Sequence, residues 1–270
     1  MYHPLVSVIT TCYNDGKYIL DTVKSVEKST YANVEHIIIN DGSTDAYTLE
    51  VLNKINSHRV KIIHSKNQGV CNARNTAVKH SCGKYLLPLD GDDLISSQYI
   101  ARAVERFESD ESIKLVACNY RLFGKINKSI QIEPYSMEKL LGHNLYVVSS
   151  VFKRADFDNV GGFNLNMSFG LEDWDFWINL LKNDGRVVVL EGEHFFYRIK
   201  PHHTSRNASM TQDTHNKLRR ILWENHHELY SCFFPNPRQT FEYLNVVNSK
   251  EYRLGKFLLA PIRSMRRRFL

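Results

Sequence analysis

An apolar run that ends in three carboxylates is the strongest chemical signal in this chain. Leu86–Leu89 reads as a buried strand, and Asp90, Asp92 and Asp93 follow it almost at once. Like charges this close repel one another and cost stability, whereas hard divalent cations prefer carboxylate oxygens. Capping of the next helix explains the acids poorly, because the serines at positions 96–97 already suit that task. The pattern therefore predicts a cation site at Asp90 and Asp92 that could hold a diphosphate.

Polar residues also follow the three other strands predicted in the first half. They are Thr11 and Tyr13 after the first strand, Asp41 after the second, and Arg74 one turn into the helix after the third. A turn with a helix cap at residues 43–44 leaves Asp41 unexplained, so its carboxylate could accept a hydrogen bond from a nucleobase or a ribose hydroxyl. Tyr13 could stack on a nucleobase or be an ordinary loop aromatic. Arg74 could contact a ligand or lie on a solvated helix face.

A second acidic site begins a later helix. Glu172 and Asp173 precede Trp174 at its start. Acids in a first turn interact favourably with the helix dipole, which is the simplest explanation. The functional alternative is a general base beside an aromatic wall, with Asp173 as the base.

The elements that must position these residues alternate between strand and helix up to about residue 120. Apolar strands are predicted at 5–11, 34–39, 60–63, 84–89 and 114–118, with helices between them. This alternation indicates an α/β fold with a mostly parallel central sheet flanked by helices. Ligands bind such sheets beyond the carboxyl ends of the strands, where the candidate residues converge.

The rest of the chain is less regular. A β-ribbon is predicted at 120–132, strands at 145–153, 186–190 and 194–197, and a helix at 172–181. From residue 209 onward a mostly helical extension is expected, with a break at Pro235 and Pro237. The predicted division is therefore 1–120, 121–208 and 209–270.

Charge is concentrated at the C-terminal end. The net charge of +6 resides in residues 250–270, which carry seven basic residues and one acid and leave 28 of each sign elsewhere. A nucleic-acid groove across the whole protein is therefore disfavoured. The apolar stripe in this segment, interrupted at Pro261, is typical of a helix on an anionic membrane surface. Packing on the domain or on a second subunit, as in a homodimer, is the alternative.

Location follows from features that the sequence lacks. It shows no leader pattern and no apolar run approaching the roughly 20 residues of a membrane span. The five cysteines are scattered and odd in number, which favours reduced thiols. The prediction is a cytoplasmic protein, peripheral on the inner face of the membrane if the basic tail binds lipid.

These motifs together resemble the family 2 glycosyltransferases, which have the nucleotide-diphosphosugar (GT-A) fold. The resemblance covers residues 4–205. The matching segments are Val6–Ile9 with Tyr13-Asn14, Ile39–Asp45, Asn67–Gly69 with Ala73–Asn75, Leu89–Asp93, Gly161–Phe163 and Glu172–Trp174.

The resemblance implies roles for individual residues. Thr11, Tyr13 and Asp41 would line the base and ribose pocket, with Arg74 near the base or phosphate. Asp90 and Asp92 would form the Asp-x-Asp pair, in which Asp92 is the more direct ligand of Mn²⁺ or Mg²⁺. Asp173 would be the catalytic base. Asp90 and Gly91 would also contact the donor nucleotide. Gly91 stands where many relatives carry alanine or serine, a small departure that should leave the metal site intact.

The implied activity is inverting transfer of a sugar from a nucleotide diphosphate sugar, with UDP expected. The acceptor would be a hydroxyl of a glycan or lipid-linked oligosaccharide in surface polysaccharide synthesis. Residues 197–207 would close over the diphosphate, with Arg198 and His203 as weaker candidate contacts, beside Glu172 and Trp174 on the acceptor side. A sugar nucleotidyltransferase or a non-catalytic membrane or nucleic-acid binder are the alternatives.

Overall fold

A mixed sheet with helices packed against it forms the main body of the protein. In this computed structural model the described residues are 3–201, 211–236 and 240–266. Within these ranges nine strands form one sheet, in the order β3-β2-β1-β4-β8-β6-β9-β5, with β7 paired to β6. The strands are β1 Val6–Cys12, β2 Val34–Asp41, β3 Val60–Ser65, β4 Tyr85–Asp90, β5 Leu94–Ile95, β6 Ile113–Gly124, β7 Lys128–Ile130, β8 Val151–Lys153 and β9 Arg186–Ile199.

The first four strands are parallel, as the sequence predicts. β1 pairs with β2 and β4, and β2 pairs with β3, all in parallel register. The apolar side chains of β1, β2 and β4 are buried because helices cover both faces, whereas those of β3, at the edge of the sheet, are only partly buried. Three helices make the crossovers: α1 Ile19–Glu27, α2 Ala46–Lys54 and α3 Val70–Lys79. The carboxyl ends of β1, β2 and β4 consequently meet at one edge of the sheet.

The second half of the sheet is mixed, and three predictions need correction there. β8 is antiparallel to β4 and β6, whereas β9 is parallel to β6. Only the last three residues of the strand expected at 145–153 pair. The two strands expected at 186–190 and 194–197 are one long strand, because a bulge carries β9 past the irregular residues. The strand expected at 114–118 continues to Gly124 and forms the predicted ribbon with β7.

Four helices complete this body: α4 Tyr99–Ser109, α5 Met137–Gly142, α6 Arg154–Val160 and α7 Glu172–Leu181. The expected helix caps were wrong at two places. Asp45, not residue 43 or 44, caps α2, since its carboxylate accepts a hydrogen bond from Thr48 N at 2.9 Å. Neither Ser96 nor Ser97 caps α4, which begins at Tyr99 without a side-chain cap.

The C-terminal extension is helical: α8 Gln212–Asn225, α9 His227–Phe233, α10 Phe241–Asn248 and α11 Lys250–Arg266. It is anchored to the main body by Leu218 and Leu222, which are buried. The chain leaves its helix at Phe234, close to the expected break, but Pro261 does not interrupt α11. None of the helices in the described ranges is both long and apolar enough to cross a membrane.

Candidate active site

A buried arginine joins the two acidic sites that the sequence places 80 residues apart. Arg74, on α3, is 2% exposed, and its two terminal nitrogens each lie 2.8 Å from a carboxylate, one from Asp90 at the end of β4 and one from Glu172 at the start of α7. Its guanidinium also lies over the ring of Phe163, 5.4 Å from the centroid. The solvated-face interpretation of Arg74 is therefore wrong. Arg74 therefore pairs with both acids and connects α7 to the edge of the sheet.

Asp90 has a second partner from the neighbouring strand. Thr11, near the end of β1, donates a hydrogen bond from Oγ1 to Oδ1 of Asp90 at 3.2 Å. Thr11 and Arg74 thus orient the same carboxylate oxygen. Gly91 follows, and its N–H donates to the Thr11 carbonyl at 3.0 Å. A Cβ at Gly91 would lie 2.9 Å from that carbonyl oxygen, so glycine fits the close approach here.

The remaining carboxylates of the run are held by the end of β9. Asp92 Oδ2 lies 2.8 Å from the ammonium of Lys200, which also contacts Asp15 Oδ1 at 2.6 Å. Asp93 is buried and accepts a hydrogen bond from the backbone N–H of Arg198 at 2.7 Å. Burial raises the pKa of Asp92 to about 6 and that of Asp93 well above its ordinary value. A positive charge beside these acids favours their ionised forms, as the ammonium of Lys200 does for Asp92.

Arg198 is locked in place on the same acidic turn. Its Nε donates to the carbonyl of Asp92 at 2.6 Å, and its guanidinium lies between the rings of Tyr18 and Phe123, 4.8 and 4.5 Å from their centroids. The structure thus brings Arg198, predicted as a loop contact, directly onto the acidic turn. His203 lies outside the described residues.

The residues expected to line a nucleoside pocket lie on two loops that are bonded to their surroundings. Asp41 accepts hydrogen bonds from the backbone N–H groups of Gln68 and Gly69, at 2.9 and 3.1 Å, and so fixes the turn that precedes α3. Asn14 ties the first loop to the second, because its Oδ1 accepts from the backbone N–H groups of residues 44 and 45. Tyr13 beside it is 48% exposed, so its ring is accessible to a ligand. Its stacking on a base stays a prediction.

Asp173, in the second acidic site, is held by hydrogen bonds to both of its carboxylate oxygens. Its Oδ2 accepts a hydrogen bond from the side-chain amide of Asn144 at 3.0 Å, and its Oδ1 accepts from the backbone N–H of Trp174 at 2.8 Å. Burial, and the neighbouring charge of Glu172, raise the pKa of Asp173 to about 7, although Arg74 opposes the shift. A carboxylate with such a pKa is suited to accept a proton near neutral pH.

Trp174 supports this site from inside the protein. Its ring is 4% exposed, its Nε1 donates to the carbonyl of Leu140 at 2.6 Å, and the guanidinium of Arg219 on α8 covers it 4.4 Å from a ring centroid. The ring is thus part of the interior, and the aromatic wall that the sequence predicts beside Asp173 stays a prediction. Leu171, just before α7, has a φ of +57°, a strained conformation for leucine at the start of that helix.

Sequence reasoning missed Asn144 and Arg219, which lie in irregular or distant segments without a recognisable motif. It also missed the pairing of Lys200 with Asp15 and Asp92. Among the described residues, no group of three or more His, Cys, Asp or Glu side chains could hold a metal ion by itself. A cation at Asp92 would therefore need further oxygens from a bound ligand.

Comparison with known proteins identifies the class to which this fold and site belong. Residues 7–163 match the model of glycosyl transferase family 2. Because this match covers more than half of the chain, the protein belongs to that family. The Staphylococcus aureus protein TarS in complex with UDP-GlcNAc has a similar structure, with a TM-score of 0.69, 20% identity, and coverage of 91% of this chain and 76% of TarS.

A second solved structure is the mannosyltransferase PcManGT from Pyrobaculum calidifontis in complex with GDP-Man and Mn²⁺. It has a TM-score of 0.63 and 18% identity, and the match covers 98% of this chain and 81% of PcManGT. At these identities the likeness concerns the fold, which is the GT-A type expected from the sequence.

Curated relatives include a chondroitin synthase from Escherichia coli, 32% identical over 66% of this chain and 26% of that protein. The glycosyltransferase EpsJ of Bacillus subtilis is 28% identical over 73% of this chain and 62% of EpsJ. A Haemophilus influenzae glycosyltransferase is 40% identical over 41% of this chain and 35% of that protein. The chain thus spans 26% of the length of the chondroitin synthase, 35% of the H. influenzae protein and 62% of EpsJ.

Proposed function

We propose that this glycosyltransferase moves a sugar from a nucleotide diphosphate sugar, with UDP as the nucleotide, to a hydroxyl of a glycan, with inversion at the anomeric carbon. The observation that carries the proposal is the double ion pair of Arg74. Its guanidinium contacts Asp90, at the edge proposed to bind the donor, and also Glu172, which is adjacent in sequence to the proposed base Asp173. The UDP-GlcNAc bound by TarS and the chondroitin made by the E. coli relative support a UDP-sugar donor and a polysaccharide product.

At the donor end, the exposed ring of Tyr13 would stack on the base, and Thr11 and Asp41 would line the base and ribose pocket. Asp92, with Asp90 beside it, would hold Mn²⁺ or Mg²⁺. The donor set fits such an ion, because hard cations are commonly bound by one or two carboxylates together with substrate phosphates. The ammonium of Lys200 on Asp92 supports the fit, since it shows that this carboxylate accepts a cation. A divalent ion there would act as a Lewis acid toward the departing diphosphate.

At the acceptor end, Asp173 would take the proton from the attacking hydroxyl. Asn144 and the backbone of Trp174 orient its two oxygens, so the carboxylate is fixed before the acceptor arrives. A single in-line displacement, with the base and the leaving diphosphate on opposite faces of the sugar, inverts the configuration. Glu172 would position the base through Arg74 rather than act on the acceptor.

Titration calorimetry with UDP-sugars, with and without Mn²⁺, tests the donor half of the proposal. We expect the donor to bind only when the ion is present, and Asp92→Ala to abolish this binding. The control is Asp156→Ala, on α6 away from the carboxyl ends of the strands, which should leave donor binding intact. Product analysis by NMR then reports the anomeric configuration. Donor binding that is equally tight without a divalent ion, or a product with retained configuration, would rule out this mechanism.

We further propose three functional parts: donor binding by 1–120, acceptor binding by 121–208, and support and membrane contact by 209–270. Basic α11 exposes a largely apolar surface that includes Phe257, which is 77% exposed, together with Leu254 and Leu258. An apolar face flanked by Arg253 and Lys256 suits anionic lipid. Peripheral contact with the inner face of the membrane would place the enzyme beside lipid-linked acceptors.

A further inference from the structure

One largely buried ammonium lies beside the acidic turn at the carboxyl edge of the sheet. Lys200 follows directly after β9 and is 13% exposed. Its Nζ lies 2.6 Å from Asp15 Oδ1, on the loop after β1, and 2.8 Å from Asp92 Oδ2, on the turn after β4. A single positive charge therefore joins two loops that both belong to the donor side.

The position of this ammonium is set by its neighbours and not by a flexible surface contact. Arg198, two residues earlier, is fixed by its backbone bond to Asp93 and its side-chain bond to the carbonyl of Asp92. Lys200 also lies over the ring of Tyr18, 5.2 Å from its centroid. The backbone at the end of β9 is thus fixed beside Asp92, and the Lys200 side chain extends from it to that carboxylate.

The same carboxylate is the one that would bind a divalent ion. An ammonium in contact with Asp92 Oδ2 and a metal ion on that carboxylate repel each other strongly at such short distances in a partly buried site. A diphosphate, in contrast, brings negative oxygens with which a displaced ammonium can pair. Lys200 has four rotatable carbon–carbon bonds before its ammonium, so the charge can move without moving β9.

We infer that Lys200 is a displaceable counter-ion. In the absence of ligand its ammonium pairs with Asp92 and Asp15. When the donor and a divalent cation bind, the cation replaces the ammonium at Asp92, and the ammonium pairs with the donor diphosphate. This inference rests on the proposed function, since it assigns Asp92 to the cation. The consequence is cooperative binding of the ion and the donor. Lys200 weakens binding of the ion alone, and it strengthens binding of the ion together with the diphosphate. Unproductive loading with metal is thereby suppressed.

The test measures Mn²⁺ binding directly, by the loss of the free-ion EPR signal, in the absence and presence of UDP. For Lys200→Met without UDP, we expect Mn²⁺ to bind at least about fivefold more tightly than to the wild type. With saturating Mn²⁺, the variant should bind UDP at least about fivefold more weakly, because the diphosphate loses an ionic partner. Because Lys200→Arg retains the positive charge, its affinities for Mn²⁺ and for UDP should stay closer to those of the wild type than to those of Lys200→Met.

Lys79→Met, at the last residue of α3, is the matched control because it removes one positive charge at an exposed position near the start of β4, whereas Asp90 and Asp92 lie at and after its end. It should leave both affinities unchanged. Circular dichroism verifies folding, and Lys200→Gln replaces the methionine variant if that variant does not fold. A purely structural ion pair predicts lower stability with unchanged or weaker Mn²⁺ binding, and that result would overturn the inference.

The outcome also separates this inference from the proposed function. If Mn²⁺ binds wild type and Lys200→Met equally, with UDP binding still dependent on the ion, the inference fails while the proposed function stands. If UDP binding by the wild type shows no dependence on a divalent ion, the proposed metal role fails and the inference fails with it.

Discussion

The side-chain amide of Asn144 donates a hydrogen bond to Oδ2 of Asp173 over 3.0 Å. The acceptor of this bond is the carboxylate expected to take the proton from the attacking hydroxyl. Asn144 precedes Asp173 by 29 residues and lies between α5 and β8, where the chain has no regular structure. The bond stabilises the charged form of Asp173 and so lowers its pKa, against the larger effect of burial.

Asn144→Ala should therefore move the activity profile along the pH axis. Without the amide the pKa of Asp173 rises further above about 7, and the base is protonated over a wider range. We expect the acidic limb of kcat/KM to shift upward by about half to one pH unit. Asn53→Ala, at an exposed position of α2, serves as the control. A loss of activity that is equal at all pH values would assign Asn144 a different role.

Asp173→Asn should separate donor binding from transfer. The amide cannot accept the acceptor proton, so we expect the rate of transfer to fall by about 10²–10⁴. Donor affinity should stay near that of the wild type, because the proposed nucleotide contacts are at the ends of β1, β2 and β4. Calorimetry and a coupled UDP-release assay measure the two quantities. Turnover close to that of the wild type would remove Asp173 as the base.

The same substitution predicts a pH-dependent change in stability. The pKa of Asp173 is raised in the folded state, to about 7 from 3.8, so the stability that its protonated form contributes is lost as pH rises toward and through 7. Asp173→Asn cannot titrate. Relative to the wild type, the variant should gain about 1–3 kcal/mol in the free energy of unfolding between pH 5 and pH 8. Urea denaturation at both pH values measures it, and parallel stability curves would contradict the assigned shift.

Arg74→Met should be strongly destabilising. It removes the shared partner of Asp90 and Glu172 and leaves the buried Glu172 charge uncompensated, which costs about 3–5 kcal/mol. Glu172→Gln in the same chain should restore part of that loss, because it removes the uncompensated charge. Lys54→Met, which breaks the exposed pair with Glu50 on α2, is the control and should leave the denaturation midpoint unchanged. If Arg74→Met changed the denaturation midpoint as little as Lys54→Met does, the ion pairs of Arg74 would be accessible to water and the prediction would be wrong.

The sequence located the acids of the site but not the bonds that connect them. Asp90, Asp92 and Asp41 could be found because each follows an apolar strand, and parallel strands end at one edge. Glu172 and Asp173 could be found because they begin a periodic helix. Their joining by Arg74 depends on how α7 packs on α3, which no local pattern encodes.

The contact of Lys200 with Asp15 spans 185 residues, and its geometry depends on the register of β9. That register includes a bulge beside β6, which turned two predicted strands into one. Bulges and caps are decided by competing hydrogen bonds. Ser43 is one example: its hydroxyl accepts from Asn14 N at 3.0 Å, so Asp45 was left to cap α2.

Removal of residues 250–270 tests the proposed role of the C-terminal helix. The side chains of α11 that the structure describes are mostly exposed, so the deletion should leave the melting temperature nearly unchanged. It should abolish sedimentation with vesicles that contain anionic phospholipid, while transfer to a soluble acceptor continues. The wild type should bind these vesicles less as salt rises, since the basic residues act through screened charge.

Two substitutions distinguish lipid contact from association between copies of the chain. Phe257→Asp with Leu258→Asp keeps every basic residue but removes apolar area, and it should weaken vesicle binding by at least about tenfold because both signals are needed for stable attachment. Leu165→Asp, at an exposed position away from α11, should not. If the wild type instead sediments as a dimer without vesicles and the α11 variant as a monomer, the exposed face is a subunit interface, and the membrane proposal is wrong.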